Sequence, residues 1–517
     1  MTNTTNNRRI VKNTFFLYFR MLLTLAVTLY TSRVVLNNLG VEDFGIYNVV
    51  GGVVTMMAFL SGAMSSATQR FFAFELGQNN LEQLAKVFKM SLNIHWLIVL
   101  VVILVAQTLG LWFVNTQLVI PPERLIASNW VFQCALFSFC CTVLGAPYNA
   151  AIIAHEKMSA FAYISIVDVL LKLTIVFLLA THTGDKLQFY ALLLAAVSVL
   201  ILGCYYAYAR WQFTVARFSW YWNAELFKTL FSYTGWNLFG NLAVVMSNQG
   251  VNILLNLFFG APVNAARAIA MQVNGAIGGF VNSLQMSINP QIIKSYAAND
   301  MLYMHTLVFA GARYSFYFLM FLSFPVFIES RAILEIWLGS VPEHADIFIK
   351  LVLIEACFIC LSGTLMTSAL ATGKIKAYQA IVGGLQLLNI PLSFALLNIY
   401  SNPSPFVVYY VSIAVSIFAL IARLVFLQRL INLSLVDFFM NVIIPSIKTM
   451  LTCILFMFVF SALVPLLNLA EPSEFFVKAL ISLIVACIAI FYVGLTDVER
   501  QYCTSVLKSK FVGILKG

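Results

Sequence analysis

Apolar residues run in stretches of about twenty along the whole chain, broken by short polar turns. Twenty residues is the length at which an α-helix crosses the ~30 Å hydrocarbon core of a bilayer. The pattern predicts fourteen spans, at 13–36, 44–68, 90–114, 125–150, 158–180, 187–209, 229–256, 263–288, 304–328, 346–371, 377–399, 406–428, 442–467 and 476–495. Several exceed the minimum length, so tilt or kinks are expected. The expected fold class is an all-α polytopic membrane protein. Its first apolar stretch is long and lacks a small-residue cleavage site, which reads as a retained span rather than a signal peptide.

Two neighbouring spans break the apolar pattern in an ordered way. On the seventh, Asn237, Asn241, Asn248, Asn252 and Asn256 fall within roughly a 100° arc at helical spacing. On the eighth, Asn264, Arg267, Asn274, Asn282, Gln285 and Asn289 fall within roughly 80°. The first span carries its own stripe of Asn13, Arg20, Thr24, Thr28, Thr31 and Asn38. Side chains that need hydrogen bonds are costly against lipid, so these faces should meet protein or water. A wet path lined by amides is one reading; amide contacts that hold helices together are the other.

Composition agrees with the pattern. Of 517 residues, 61% are hydrophobic and only 10% charged, against about 25% charged in soluble domains. The net charge of +10 has a topological explanation. With the N-terminus in the cytoplasm, the cytoplasmic segments and the span ends beside them collect 20 of the 30 basic residues. An even span count then leaves both termini cytoplasmic, and no nucleic-acid partner is needed to account for the charge. The nine cysteines lie mostly inside spans and form no disulfide framework. Cys357 and Cys360 are spaced as a CxxC within a helix, without nearby histidines, and read as packing residues.

A weak internal repeat has an offset near 220. LGVEDFGIYNVVGGVV at 39–54 aligns with FGAPVNAARAIAMQVN at 259–274, and AHEKMSAFA at 154–162 with ATGKIKAYQ at 371–379. Six spans per repeat keep both copies in one orientation, related by an axis along the membrane normal. The expected organisation is an N-terminal lobe at 1–209, a cytoplasmic interfacial linker at 210–228, a C-terminal lobe at 229–428, accessory spans thirteen and fourteen at 429–495, and a basic tail at 496–517. Two pseudo-symmetric six-helix lobes around a central cavity would permit alternating access. The segment 69–89 reads as an amphipathic interfacial helix, and Trp211, Trp220, Tyr221 and Trp222 suit a membrane-interface anchor.

Charged residues within spans are few, and each costs on the order of 2.5–3.5 kcal/mol to insert near the midplane. Arg20, Arg267 and Arg313 point to a cationic cavity, because guanidinium binds phosphate bidentately and stays charged. Pairing with the scaffold is the alternative for each. Asp168 and Lys172 stand at i, i+4 on one helix face with the acid first, the favourable order. They either neutralise each other or form a switch in which H⁺ or Na⁺ on Asp168 frees Lys172. Glu355 is the other carboxylate within a span and the second ion-coupling candidate. The chain carries no nucleotide-binding, hydrolase or metalloprotease signature, so neither an enzyme nor a cofactor or metal is expected.

Four stretches resemble the multidrug/oligosaccharidyl-lipid/polysaccharide (MOP) exporter superfamily, and within it the Wzx-type O-antigen and capsule flippases. They are SRVVLNNLGVEDFGIYNVVGGVV at 32–54, SATQRFFAFELG at 66–77, IWLGSVPEHADIF at 336–348 and ATGKIKAYQ at 371–379. The resemblance implies a bacterial inner-membrane protein that carries undecaprenyl-pyrophosphate-linked oligosaccharide to the periplasmic leaflet. Polysaccharide polymerase and other assembly proteins would be its partners, with membrane lipids around it. The cavity residues expected from the sequence are Arg20, Thr24, Thr31, Asn237, Asn241, Asn248, Asn252, Arg267, Asn274, Asn282, Gln285 and Arg313, with Asp168, Lys172 and Glu355 for ion coupling. Two other functions stay open, a multidrug/cation antiporter of the same superfamily and a non-transporting scaffold of a polysaccharide-assembly complex.

Overall fold

The computed structural model describes all residues but 1, 56–57, 117, 119, 217–218, 339–340, 400–402, 464–470, 502–503 and 505–517. Most of the expected basic tail, 502–503 and 505–517, therefore lies outside the described residues. Among those described, the chain is helical throughout and contains no strand. The first helices are α1 (Thr2–Thr55), α2 (Ala58–Gly77), α3 (Leu81–Val105), α4 (Leu111–Thr116), α5 (Leu125–Ala154), α6 (Met158–Thr181) and α7 (Lys186–Gln212). They are followed by α8 (Ala224–Phe259), α9 (Ala261–Ala297), α10 (Met301–Ile328), α11 (Ser330–Leu338) and α12 (Ala345–Ala371). The last are α13 (Lys376–Leu387), α14 (Asn389–Ile399), α15 (Val407–Ile431), α16 (Leu435–Phe438), α17 (Ile444–Leu463) and α18 (Glu471–Ala489). Single π-helical turns at Ala106–Gly110, Phe439–Ile443 and Ile490–Gly494 join or extend these.

Eleven of the described helical stretches are long and apolar enough to cross a membrane. They match eleven of the fourteen expected spans. The first, second and eighth are the others, and α9 is the helix whose amide stripe lowers its hydropathy. The first expected span and the start of the second share one run, α1, broken where Gly40 leaves helical geometry at φ 80°, and the rest of the second lies in α2. The expected interfacial helix at 69–89 does not form. Instead α2 continues to Gly77 and α3 starts at Leu81, with a turn between them. The polar residues at 69–77 belong to the end of α2, and those at 81–89 to the start of a helix long and apolar enough to cross a membrane.

That turn repeats. Asn79 adopts the left-handed backbone at φ 54°, and Asn80 caps α3 by accepting from the Gln83 amide at 3.0 Å. An offset of 220 residues later, Asn299 is left-handed at φ 58° and Asp300 accepts from the Tyr303 amide at 3.1 Å. Left-handed asparagine followed by a capping side chain is an economical helix stop and restart. The same device at both positions gives the internal repeat a physical basis.

The residues group into two compact units, one of residues 1–245, 286–304 and 373–380, the other of 246–285, 305–372 and 381–517. In the first, α5 packs on α1, α2, α3 and α7, and α1 runs along α6. A dry core of Val50, Val54, Val99, Val131, Phe132 and Leu187 fills the space among α1, α3, α5 and α7. At the Gly40 end of this unit, Arg124 joins three segments. Its Nε donates to Asp43 at 2.8 Å and its Nη1 to Asp185 at 2.9 Å. In the second unit α12 packs on α15, α14 on α15, and α17 on α18.

Candidate functional site

Helix α6 presents Phe161, Ser165, Asp168 and Lys172 within about 60° of one another. Lys172 Nζ donates to Asp168 at 2.8 Å, and both side chains are partly exposed. From α1, the Arg20 guanidinium lies 4.8 Å above the Phe161 ring. Tyr205 of α7 pairs its hydroxyl with Ser165 and stands within electrostatic reach of both Arg20 and Asp168. Two groups that the sequence lists separately, the arginine of the first span and the ion pair of the fifth, thus share one neighbourhood. The Arg20 Nε is buried without a hydrogen-bond partner. Among the described residues, no carboxylate lies within ion-pair distance of Arg20. Further along α1, Thr24 is half-buried and Thr31 donates to the Thr28 carbonyl at 3.1 Å.

The second unit holds a balanced cluster. Arg267 is 4% exposed; its Nε donates to Asn252 at 2.6 Å and its guanidinium lies 5.4 Å from the Tyr409 ring centre. Glu355 accepts from Ser416 at 3.2 Å and sits within electrostatic reach of Arg267. A buried carboxylate facing a cation and a hydroxyl is suited to exchange a proton or a small cation. Arg313 is buried and ion-paired with Glu499, with a 3.4 Å contact to the Asn441 carbonyl. Tyr314 also donates to Glu499, and Tyr317 donates to the Gly494 carbonyl at 2.7 Å. An anion would have to displace Glu499 to reach Arg313.

The amide stripes divide by exposure. Asn237 is fully buried and donates to the Ala63 carbonyl at 2.8 Å. Gln379 donates to it at 3.4 Å, and Asn241 donates back to the Asn237 carbonyl at 2.9 Å. Gln285 is buried too, donating to Ser315 at 3.1 Å and to the Cys360 carbonyl at 3.0 Å. Asn248 and Asn282 are exposed, and Asn274 is half-buried. One set of amides is therefore buried and fastens helices, and another lies at exposed or half-buried positions. A hollow of about 320 Å³ between α5 and α7, lined by Gln133, Cys134, Phe137 and Leu192, includes none of the expected site residues.

Sequence reading did not include Phe161, Ser165, Tyr205, Tyr409, Ser416 or Glu499. Phe161 and Ser165 precede Asp168 by seven and three residues, and that helical register is the signal that could have found them. The others come from distant helices and leave no local trace.

No family model matches the chain. A curated relative, an uncharacterized membrane protein named EpsK from Bacillus subtilis, is 21% identical over 283 residues, 54% of this chain and 55% of that protein. The chain spans about half the length of that relative. Solved structures match more broadly. An outward-facing multidrug resistance MATE family transporter of the MOP superfamily superposes with TM-score 0.71 at 12% identity, covering 83% of this chain and 96% of the other. A MOP superfamily transporter from Pyrococcus furiosus, described as having a binding pocket of reversed polarity, gives 0.67 at 12% over 81% and 96%. A Vibrio cholerae MATE transporter gives 0.66 at 18% over 82% and 98%. At these identities the likeness is one of fold. The chain has the fold of MATE transporters, which are transporters and not enzymes.

Proposed function

We propose that the chain is a flippase that moves undecaprenyl-pyrophosphate-linked oligosaccharide across the bacterial inner membrane by alternating access. The observation that carries this reading is Arg20, an intramembrane cation with an unpartnered Nε and no carboxylate at ion-pair distance among the described residues. A guanidinium is costly in a membrane without a counter-charge, and a pyrophosphate would supply one bidentately. With Lys172 and Asp168, the α6 neighbourhood carries one net positive charge. The exposed amides Asn248 and Asn282, joined by Asn274 and Asn252, would offer donors and acceptors to sugar hydroxyls while the prenyl tail stays in lipid. H⁺ or Na⁺ at Asp168 or Glu355 would couple the cycle. The basic-residue bias supports cytoplasmic termini, and polymerase and other assembly proteins are the expected partners.

Arg20→Ala, expressed at normal level in a deletion strain, should abolish or strongly reduce surface polysaccharide. Unchanged polysaccharide would defeat the reading. A multidrug/cation antiporter is the second reading, favoured by the multidrug transporters among the structures of similar fold. Against it, a cation exporter needs uncompensated acids, and Asp168 is ion-paired. Drug-susceptibility profiles with and without the gene separate the two, since only the antiporter predicts sensitised cells.

A further inference from the structure

Within the first unit, helix ends are marked by residues in the left-handed backbone. Asn79 (φ 54°), Asn299 (φ 58°) and Gly373 (φ 75°) are residue types that tolerate it. Glu156 (φ 60°), at the turn between α5 and α6, is not. Its repeat-related counterpart in the aligned segments 154–162 and 371–379 is Gly373, where the space is filled by the Arg70 guanidinium. A glutamate kept in a glycine position at a cost in strain points to work done by its side chain.

That side chain is 1% exposed. Its carboxylate accepts from Gln291 at 2.5 Å and is ion-paired with Lys294, both near the end of α9. Its own carbonyl accepts from Asn13 of α1 at 3.2 Å. One residue thereby fastens α1, the α5–α6 turn and α9. Around it the same helices touch directly: Thr14 and Ser287 hydroxyls lie 2.8 Å apart, and a Cβ on Gly77 would meet the Lys294 carbonyl at 2.7 Å. Helices of both sequence repeats are thus sealed together at the end that holds the 78–80, 155–157 and 298–300 turns.

We propose that Glu156 and Lys294 form the latch of a gate at this end, and that the described conformation has it shut. This rests on the alternating-access reading, in which passage to this side requires α9 to leave α1 and the α5–α6 turn. Opening must then expose or re-pair a carboxylate that is wholly buried when shut. Such a bond makes the shut state long-lived until something else pairs with Glu156 or Lys294.

The test uses the full chain in native membranes, in a background freed of its own cysteines, with Thr14→Cys and Ser287→Cys as the reporter. Oxidative crosslinking should be efficient when Glu156 and Lys294 are intact. Glu156→Gln or Lys294→Met should slow it by about tenfold or more, and the exchange Glu156→Lys with Lys294→Glu should restore part of the rate. Equal rates in the single variants would overturn the latch, as would absence of crosslinking in the intact pair. Because crosslinking is read without substrate, its failure is distinguishable from failure of the flippase reading. Any transport assay available should stop on oxidation and recover with reductant; transport that continues through the crosslink would also overturn the gate.

Discussion

Replacing Gln285 by Met tests whether the buried half of the amide stripes is a joint between helices. Gln285 gives both amide hydrogens to other helices of its unit, one to Ser315 of α10 and one to the Cys360 carbonyl of α12. The amide also fills the space beside Gly363, where an added Cβ would lie 2.1 Å from Oε1. Interhelical hydrogen bonds in membranes average about 0.6 kcal/mol and reach about 1.7. Two of them lost, with Met keeping most of the volume, should cost about 1–3 kcal/mol. For a chain of this length that corresponds to a fall of about 1–3 °C in melting temperature. The assay is thermal unfolding of purified protein in detergent, with Asn282→Ala as the contrast. Asn282 is exposed on the same helix and should leave the melt unchanged while lowering transport. A Gln285→Met protein that melts like the parent, or an Asn282→Ala protein that melts lower, would refute the division of the stripe into fastening and open amides.

Other outcomes follow from the ion pairs and from one histidine. Arg124→Ala removes charge-assisted bonds to Asp43 and Asp185 at sites about a quarter exposed, and should cost about 1–3 kcal/mol by thermal unfolding, with Arg124→Lys between the two. Glu499→Gln leaves Arg313 buried without its counter-charge and should cost about 2–4 kcal/mol, while Arg313→Met combined with Glu499→Leu should recover part of the loss. Burial, foremost, lowers the pKa of His155, which lies in the α5–α6 turn. The unfolded chain therefore takes up that proton first, so stability should fall as pH drops through the unfolded value near 6.5. The fall in melting temperature between about pH 7 and pH 5 should be shallower in His155→Gln.

What the sequence disclosed was whatever depends on local spacing. Eleven of the fourteen apolar runs gave helix positions close to those seen, and i, i+4 spacing gave the Asp168–Lys172 contact. Helix ends were less legible: the polar residues at 69–77 resemble a surface helix, yet α2 simply continues through them. Partners were not legible at all, because Glu499 reaches Arg313 across 186 residues and Tyr205 reaches Arg20 across a similar gap. Nor could spacing separate the buried amides from the exposed ones. Asn237 and Asn248 share one helical face, and burial against Ala63 and Gln379 distinguishes them only in three dimensions.

The charges inside the membrane carry the argument about cargo one step further. Lys172 has Asp168, Arg313 has Glu499, and Arg267 has an amide with Glu355 in electrostatic reach. Arg20 has a ring face and a tyrosine instead. Aromatic contact offsets only about 0.5–2 kcal/mol of the cost of a desolvated cation, less than an ion pair of good geometry supplies. A site that held organic cations would show the opposite imbalance, a carboxylate lacking its base. The imbalance seen at Arg20 is the one an anionic headgroup would complete, and on the proposed flippase reading Lys172, ion-paired with Asp168, would be released when the headgroup or a coupling ion competed for either.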